Sequence, residues 1–391
     1  MPSTNRIWRW SLGAALALAA CQAENKTGPV IENGFPDDAS MEDGINEEQS
    51  FAFRGLDPAL RVYTQNVYVG ADVDAVIAAG ASGDQQLFLQ TLVQALQTFD
   101  ATDWATRAGR IADEIAHQRP HVIGLNEIST VERKGLQQIG LGLADQRTEF
   151  LPILQRELSR RGLHYRTAGL VQNVSVTIPL LIDNGQPVAF VSLTDFDVML
   201  VDQSLKTSNV VAKNYQTYLP VNLAGLDLAI LRGYVAADVK VGKQTYRFVT
   251  THPEPRQPVP QIQQAQIAEL LGDLSTVTLP IVAMGDFNSE PTDPAGYGYD
   301  LMAKAGFTDT WLGRLGWPQP SGATCCHAAD LRDKTPLTQR IDYVWVKSGG
   351  GLIGPVRMKV FGDDPWERTD SGLWPSDHAG LIARLRIIER P

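Results

Sequence analysis

Asp286 and Asn288, in Gly285-Asp286-Phe287-Asn288, and the adjacent pair Asp377-His378 are the residues of this chain whose types and spacing most directly suit chemistry. Two carboxylates, a carboxamide and an imidazole combine hard oxygen donors for a divalent cation with a group that moves a proton near neutral pH. Asn66, Glu127 and His252 extend the set, each near the end of a stretch that reads as a strand. Oxygen donors of this kind fit Mg²⁺ or Mn²⁺, with Ca²⁺ also compatible. A carboxamide can also ligate a metal or donate to a phosphate oxygen, so the set suits hydrolysis of a phosphate ester. Each position also has a structural reading when taken singly. Glu127 fits a turn carboxylate, Asn66 a strand end, His252 a satisfied structural histidine, and Asp286 with Asn288 an Asx turn.

The elements that must position these residues follow from apolar periodicity. Residues 61–67 read as a strand; Trp104, Ala108, Ile111, Ala112 and Ile115 keep helical spacing until Pro120, and 122–128 is a buried-strand run. Strands are expected over 195–201, 233–241 and 246–251, then a helix opened by Pro260 and a strand over 280–284. The final strands are expected over 341–346, 356–361 and 379–388. Many strands with interspersed helices predict an α+β fold, a four-layer α/β/β/α sandwich of two packed, mostly antiparallel sheets flanked by helices.

The chain has 391 residues, 43% apolar and 20% charged, with a net charge of −10, enough for a sizeable core and too acidic for a broad nucleic-acid footprint. Arg6 and Arg9 precede the apolar stretch 11–20, a signal-peptide layout too short to span a bilayer. Leu18-Ala19-Ala20-Cys21 resembles a bacterial lipobox, which implies acylation of Cys21 and anchoring to the cell envelope, at the periplasmic or outer-membrane surface. Removing residues 1–20 leaves 32 basic against 44 acidic residues, a charge near −12. Residues 21–50 are acidic and poor in large apolar groups and read as a disordered tether, so 51–391 is expected to form one domain, as a monomer. The remaining cysteines, Cys325 and Cys326, are either a vicinal disulfide or two buried thiols.

In order and spacing, Thr64-Gln65-Asn66-Val67, Val122-Ile123-Gly124-Leu125-Asn126-Glu127-Ile128, Thr251-His252, Gly285-Asp286-Phe287-Asn288, Arg340-Ile341-Asp342-Tyr343-Val344 and Ser376-Asp377-His378 resemble the endonuclease/exonuclease/phosphatase superfamily. The resemblance implies Glu127 as principal metal ligand with Asn66 and Asp377 nearby, and Asp286 and Asn288 positioning water or a second ion. It implies His378 as general base or phosphate ligand oriented by Asp342, and His252 as a stabiliser of the pentacovalent phosphorus or an acid. Taken singly, Asp342 also fits a strand acid in an ion pair. Two departures stand out: Asn126 where the family usually has Gln, and Pro253-Glu254 where Leu-Asp is common.

Residues 171–191 read as a hairpin turning at Asp183-Asn184-Gly185-Gln186, either a flap for lipid or strands packed into the fold. Asp195 and Asp197 fit either an approach to the centre or turn acids. Trp104, Trp311, Trp317 and Trp374 read as anchors, and His327 lacks partners at zinc-site spacing. Arg232 and Arg340 fit either anion binding or structural ion pairs. The implied activity is that of an exported metal-dependent phosphoesterase acting on nucleic acid, a phospholipid head group or a small phosphate ester. The alternative is a non-catalytic surface lipoprotein using the same fold as a binding scaffold.

Overall fold

In the central strands neighbouring residues face opposite sides of the sheet, and here both sides are apolar, which requires a covering layer on each. The computed structural model describes residues 59–183, 186–223, 225–313, 321–349, 352–353 and 357–388. The signal sequence, Cys21, the acidic tether, Asn184-Gly185 and Trp317 lie outside the described residues. Residues 57–391 cluster as one unit.

In chain order the first half comprises β1 (Leu60–Asn66), α1 (Val73–Ala81), α2 (Gln85–Ala101), α3 (Trp104–Gln118), β2 (Val122–Asn126), β3 (Thr130–Lys134), β4 (Gln146–Glu149), α4 (Phe150–Arg160), β5 (Tyr165–Asp183) and β6 (Gln186–Asp202). The second comprises β7 (Lys206–Asn214), β8 (Leu219–Leu223), β9 (Leu226–Ile230), β10 (Gly233–Val241), β11 (Gln244–Thr251), α5 (Pro260–Leu274), β12 (Ile281–Asp286), α6 (Gly298–Lys304), β13 (Thr308–Asp309), β14 (Asp342–Lys347), β15 (Leu352–Ile353), β16 (Arg357–Phe361), β17 (Gly380–Leu385) and β18 (Ile387–Ile388). One sheet runs β16-β17-β1-β2-β6-β3-β4 with β5 alongside β6, and the other runs β13-β14-β12-β11-β10-β7.

Alternation assigns the faces. Val62, Val122, Met199 and Val201 of the first sheet meet Val235, Ala237, Phe248, Val282, Met284 and Val344 of the second in the central layer. The intervening Tyr63, Ile123, Leu125 and Leu200 face Ile111 and Ile115 of α3 and Leu154 and Leu158 of α4. On the far side, Tyr234, Val249, Ile281, Ala283 and Trp345 meet Ile267 and Leu270 of α5 and Met302 of α6. The result is the four-layer α/β/β/α sandwich. Gly124 is needed where the sheets approach most closely, since a Cβ there would lie 2.6 Å from Thr250 Oγ1.

The helices obey local rules. Asp103 caps α3 by accepting from Thr106 N, and the helix ends at Arg119 in the left-handed region, before Pro120. Pro260 occupies the first turn of α5, where its missing N–H costs nothing. The expected stretch 379–388 is two strands, β17 and β18, separated at Arg386. Residues 171–191 do form a hairpin, longer than expected. Its outer part packs against α1 and α2, where Ile178 and Val191 join Phe88, Leu92 and Leu96, so this part of the hairpin is covered rather than free.

Candidate active site

Two parallel strand pairs explain where the polar residues converge. β1 and β2 run parallel, as do β11 and β12, so the carboxyl ends of all four open on one edge of the sandwich. β14 and β17 are antiparallel to them and begin at that edge. Asn66 therefore pairs in register with Asn126, and Asp286 with Asp342. Residues separated by more than three hundred positions become neighbours: Gln65 Nε2 donates to the His378 carbonyl at 3.0 Å.

The strand ends do not simply run out. Glu127 and Asn288 are left-handed at φ 59° and 50°, as is Tyr68 at 60°, an uncommon conformation for residues with a Cβ that turns these side chains back over the edge. Gly285 has φ 139°, and a Cβ there would lie 2.1 Å from the Thr251 carbonyl oxygen, so only glycine lets β12 deliver Asp286 beside β11.

All eight residues singled out in the sequence lie in this region. Asn66 Nδ2 donates to Glu127 Oε1 at 2.9 Å and reaches Asp286 Oδ2 at 3.3 Å. Glu127 Oε2 accepts from Val69 N at 3.0 Å. Asp286 Oδ1 accepts from Asn288 N at 2.8 Å, and Asn288 Nδ2 donates to the Pro253 carbonyl at 3.1 Å. The Asx turn read from the sequence is thus real and sits inside the site. Asp377 is held by Ser376, whose hydroxyl reaches Asp377 Oδ1 at 3.3 Å and Asn66 O at 2.7 Å.

The two imidazoles approach the same oxygen with opposite proton placement. His378 Nδ1 lies 2.9 Å from Asp342 Oδ2, so Nδ1 carries a proton and Nε2 faces Asp286 Oδ2 at 3.8 Å. His252 Nδ1 instead faces Arg232 Nη1 at 3.2 Å. A guanidinium only donates, so Nδ1 accepts and the proton sits on Nε2, 3.5 Å from Asp286 Oδ2. Burial, then Arg232, holds His252 well below the ordinary imidazole range. Burial would lower His378 too, but Asp342 and then Asp286 raise it well above that range.

The carboxylates are short of positive charge. Burial, followed by Asp342, pushes the Asp286 carboxyl up; burial likewise raises Asp377 and Glu127. Asp342 is fully buried, and its Oδ1 has no hydrogen-bond partner among the described residues. Asp286, Asp342 and His378 each offer a ligand atom, all within 4.8 Å of one another. Oxygen-rich, acidic and under-neutralised, this donor set fits a hard divalent cation.

Behind the centre lies a network that sequence patterning only partly signalled. Asp195 and Asp197 are buried residues inside β6, not turn acids. Asp197 accepts from Asn126 Nδ2 at 2.8 Å, while Asn126 Oδ1 accepts from Asp286 N at 3.0 Å, so the unusual Asn126 ties the two sheets together directly beneath the site. Asp195 accepts from Ser129 and from Asn173. Arg232 is paired with Glu254 at 2.8 Å, which accounts for the departure at Pro253-Glu254. Arg107 was missed: fully buried on α3, it donates to the carbonyls of Val67, Tyr68 and Pro375 and so joins the loop after β1 to the bend before His378. Its signal was its position, one turn from Trp104 on the apolar face of the helix.

Other candidates are structural. Arg340 pairs with Asp309 at 2.7 Å and lies over the Tyr343 ring. His327 is stacked on Trp374 at 4.0 Å and bonded to the Gly362 carbonyl, with no zinc-like ligand set around it among the described residues. Trp104, Trp311 and Trp374 are buried anchors.

A family model and one solved structure agree with this architecture. The family model described as Endonuclease/Exonuclease/phosphatase family matches residues 64–378. An endonuclease/exonuclease/phosphatase family protein from Leptotrichia buccalis C-1013-b superposes with a TM-score of 0.52 at 14% identity, covering 84% of this chain and 100% of that one. D. rerio TDP2 complexed with single-strand DNA product gives 0.48 at 14% identity, covering 84% and 99%. The human Nocturnin catalytic domain with bound sulfate gives 0.45 at 18% identity, covering 85% and 96%. Comparison with curated protein sequences gives no match. With its six motifs gathered on one edge of the sandwich, the chain belongs to the endonuclease/exonuclease/phosphatase family.

Proposed function

We propose that this protein is an exported, lipid-anchored, metal-dependent phosphoesterase that cleaves a phosphodiester or phosphomonoester by in-line attack of water. The observation that carries this reading is the convergence of two imidazoles of opposite tautomer on Asp286 Oδ2, at 3.5 and 3.8 Å, within a bed of buried carboxylates. Such a bed is costly unless it serves a cation or a reaction.

Glu127, Asn66 and Asp377 would hold a divalent ion such as Mg²⁺ or Mn²⁺, with Asp286 and Asn288 available to it or to a second one. When bound, the ion neutralises a nonbridging phosphate oxygen and the charge developing on the leaving group. Asp286 and Asn288 orient the attacking water. Once a bound cation offsets the carboxylate charge that raises His378, its Nε2 would be free to accept the water's proton, while Asp342 at Nδ1 fixes the ring and stabilises the imidazolium. His252, kept neutral by burial and Arg232, presents Nε2–H as a fixed donor to the phosphorane oxygen. The acidic chain disfavours tight binding of bulk DNA, and anchoring through Cys21 would keep phospholipid head groups within reach.

The test is a substrate panel on the full-length Cys21→Ser protein: plasmid DNA, RNA, sphingomyelin, inositol phosphates and bis-p-nitrophenyl phosphate, each with and without chelator. Chelator-sensitive turnover of at least one substrate is expected, lost in Asp286→Ala and in His378→Ala while both variants keep cooperative unfolding. Chelator-insensitive turnover would refute the metal dependence, and absent turnover throughout would favour the non-catalytic scaffold.

A further inference from the structure

Residues 324–327 clasp the two ends of the site together. Thr324 N and Cys325 N both donate to the Gln339 carbonyl, at 2.7 and 3.0 Å, and Thr338 and Gln339 donate back to Cys325 O. The Thr324 hydroxyl accepts from Ile341 N and Asp342 N at 3.3 and 3.2 Å. On the other side, Ala379 N donates to Thr324 O at 2.7 Å, and His327 N donates to Asp377 O at 2.9 Å. The segment leading into β14, which carries Asp342, is thereby joined to the bend that carries Asp377 and His378.

At the centre of this clasp are Cys325, 1% exposed, and Cys326, which is exposed, joined as a disulfide. Cys325 bridges to His378 in a β-like pairing. The two sulfurs and an imidazole nitrogen of His378 all lie within 4.8 Å of one another. None of the hydrolytic roles assigned above uses either sulfur. Their position beside the histidine needs another account, and packing alone does not require two sulfurs with one of them open to solvent.

We propose that Cys325 and Cys326 form a thiol–disulfide site whose reduced form takes up a soft divalent cation, of the Zn²⁺ or Cd²⁺ class, together with His378, withdrawing that imidazole from hydrolysis. Reduction by a dithiol begins with attack of its thiolate on the exposed Cys326 sulfur. The sulfur–sulfur bond breaks, Cys325 leaves as a thiolate and takes a proton, and the second thiol of the reductant resolves the mixed disulfide. The protein gains two electrons and two protons, and the reductant becomes a cyclic disulfide. A soft cation then displaces both thiol protons and binds two thiolates and one imidazole nitrogen. Softness separates this site from its neighbour: thiolates select the soft ion, whereas the carboxylate bed around Asp286 selects a hard one. His378 is the group both sites need. In the oxidised form the sulfurs are tied to each other and offer no thiolate, so the hydrolytic site stands alone.

The effect on hydrolysis rests on the proposed role of His378, but cation binding does not, so the test reads both separately. Full-length Cys21→Ser protein is reduced with dithiothreitol, freed of it under anaerobic gel filtration, and titrated with Cd²⁺ while the thiolate-to-cadmium charge-transfer absorbance is followed. The band should saturate at one equivalent in the reduced protein and be absent from the oxidised protein, and it should be weakened in both Cys326→Ser and Cys325→Ser. His378→Ala should keep the band but bind Cd²⁺ at least about tenfold more weakly, since losing a direct ligand costs no less than losing an outer-shell partner, about 10- to 100-fold. In parallel, stoichiometric Cd²⁺ should inhibit Mg²⁺-supported turnover of the reduced form and leave the oxidised form unaffected. Absence of the band in the reduced protein, or an undiminished band in Cys326→Ser, overturns the site. An unchanged Cd²⁺ affinity in His378→Ala overturns its coupling to the histidine.

Discussion

Removing the positive charge behind His252 should separate what Arg232 does for stability from what it does for chemistry. Arg232 and Glu254 form an ion pair at 2.8 Å with side chains only 14% and 9% exposed, and Arg232 also contacts His252 Nδ1 at 3.2 Å. Burial alone would make the guanidinium easier to deprotonate, but Glu254, then Asp195 and Asp197, hold its proton more firmly than usual. Arg232→Met strands the buried Glu254 carboxylate, and breaking one side of such a pair costs about 3–5 kcal/mol. Arg232→Met/Glu254→Met removes both charges and should recover at least half of that loss, because a buried pair replaced by apolar groups of similar size is often near neutral. The double variant still lacks the donor that forces the proton of His252 onto Nε2. A hydrogen bond to a charged group contributes about 1.5–3 kcal/mol, so its kcat/KM should fall about 10- to 150-fold. Urea unfolding measures the first effect, steady-state kinetics the second, and nitrogen chemical shifts of ¹⁵N-labelled histidine report the tautomer directly. A double variant with recovered stability and wild-type kcat/KM, or an unmodified protein whose His252 is protonated at Nδ1, would refute the assignment.

Three further expectations follow from individual residues. Gly285→Ala places a Cβ 2.1 Å from the Thr251 carbonyl oxygen, so β12 must shift; soluble yield and unfolding midpoint should drop, and any folded fraction should be inactive in the hydrolase assay. His121 accepts from Arg61 N at Nδ1, and burial followed by Arg61 lowers it from 6.5 to about 4. Its contribution is full above pH 6.5 and is lost as pH falls toward 4, because there the unfolded chain binds the extra proton. Between pH 7.5 and pH 5, His121→Asn should therefore lose up to about 2 kcal/mol less stability in urea unfolding than the unmodified protein does. Cys21→Ser should move the expressed protein from the membrane fraction to the soluble one, whereas retention on membranes would exclude Cys21 as the anchor.

Much of the architecture was legible because both faces of the central strands are buried. Continuous apolar runs such as Val122 to Asn126 and Ile281 to Asp286 then stand out against polar loops, and Pro120 and Pro260 mark helix limits within a residue or two. α1, α2 and α4 were not read from the sequence, although Phe150, Leu154 and Leu158 keep helical spacing along α4. Residue types alone nominated Asn66, Glu127, His252, Asp286, Asn288, Asp377 and His378, because buried-strand ends seldom carry so many acids, amides and imidazoles without a task; Asp342 joined them only through the family resemblance.

Tertiary structure decided how those groups relate. Sequence spacing cannot show that β1 and β2, and β11 and β12, run parallel, yet that direction is what brings their ends to one edge. Nor can it distinguish a turn acid from Asp197 locked beneath Asn126, or show that His252 faces a guanidinium while His378 faces a carboxylate. The placement of Cys325 and Cys326 beside His378 likewise depends on pairing with Gln339 and on the bend after Ser376. Side-chain chemistry is written locally, residue by residue; proton placement and charge balance depend on distances of a few ångströms between segments far apart in the chain, and only the folded packing sets those.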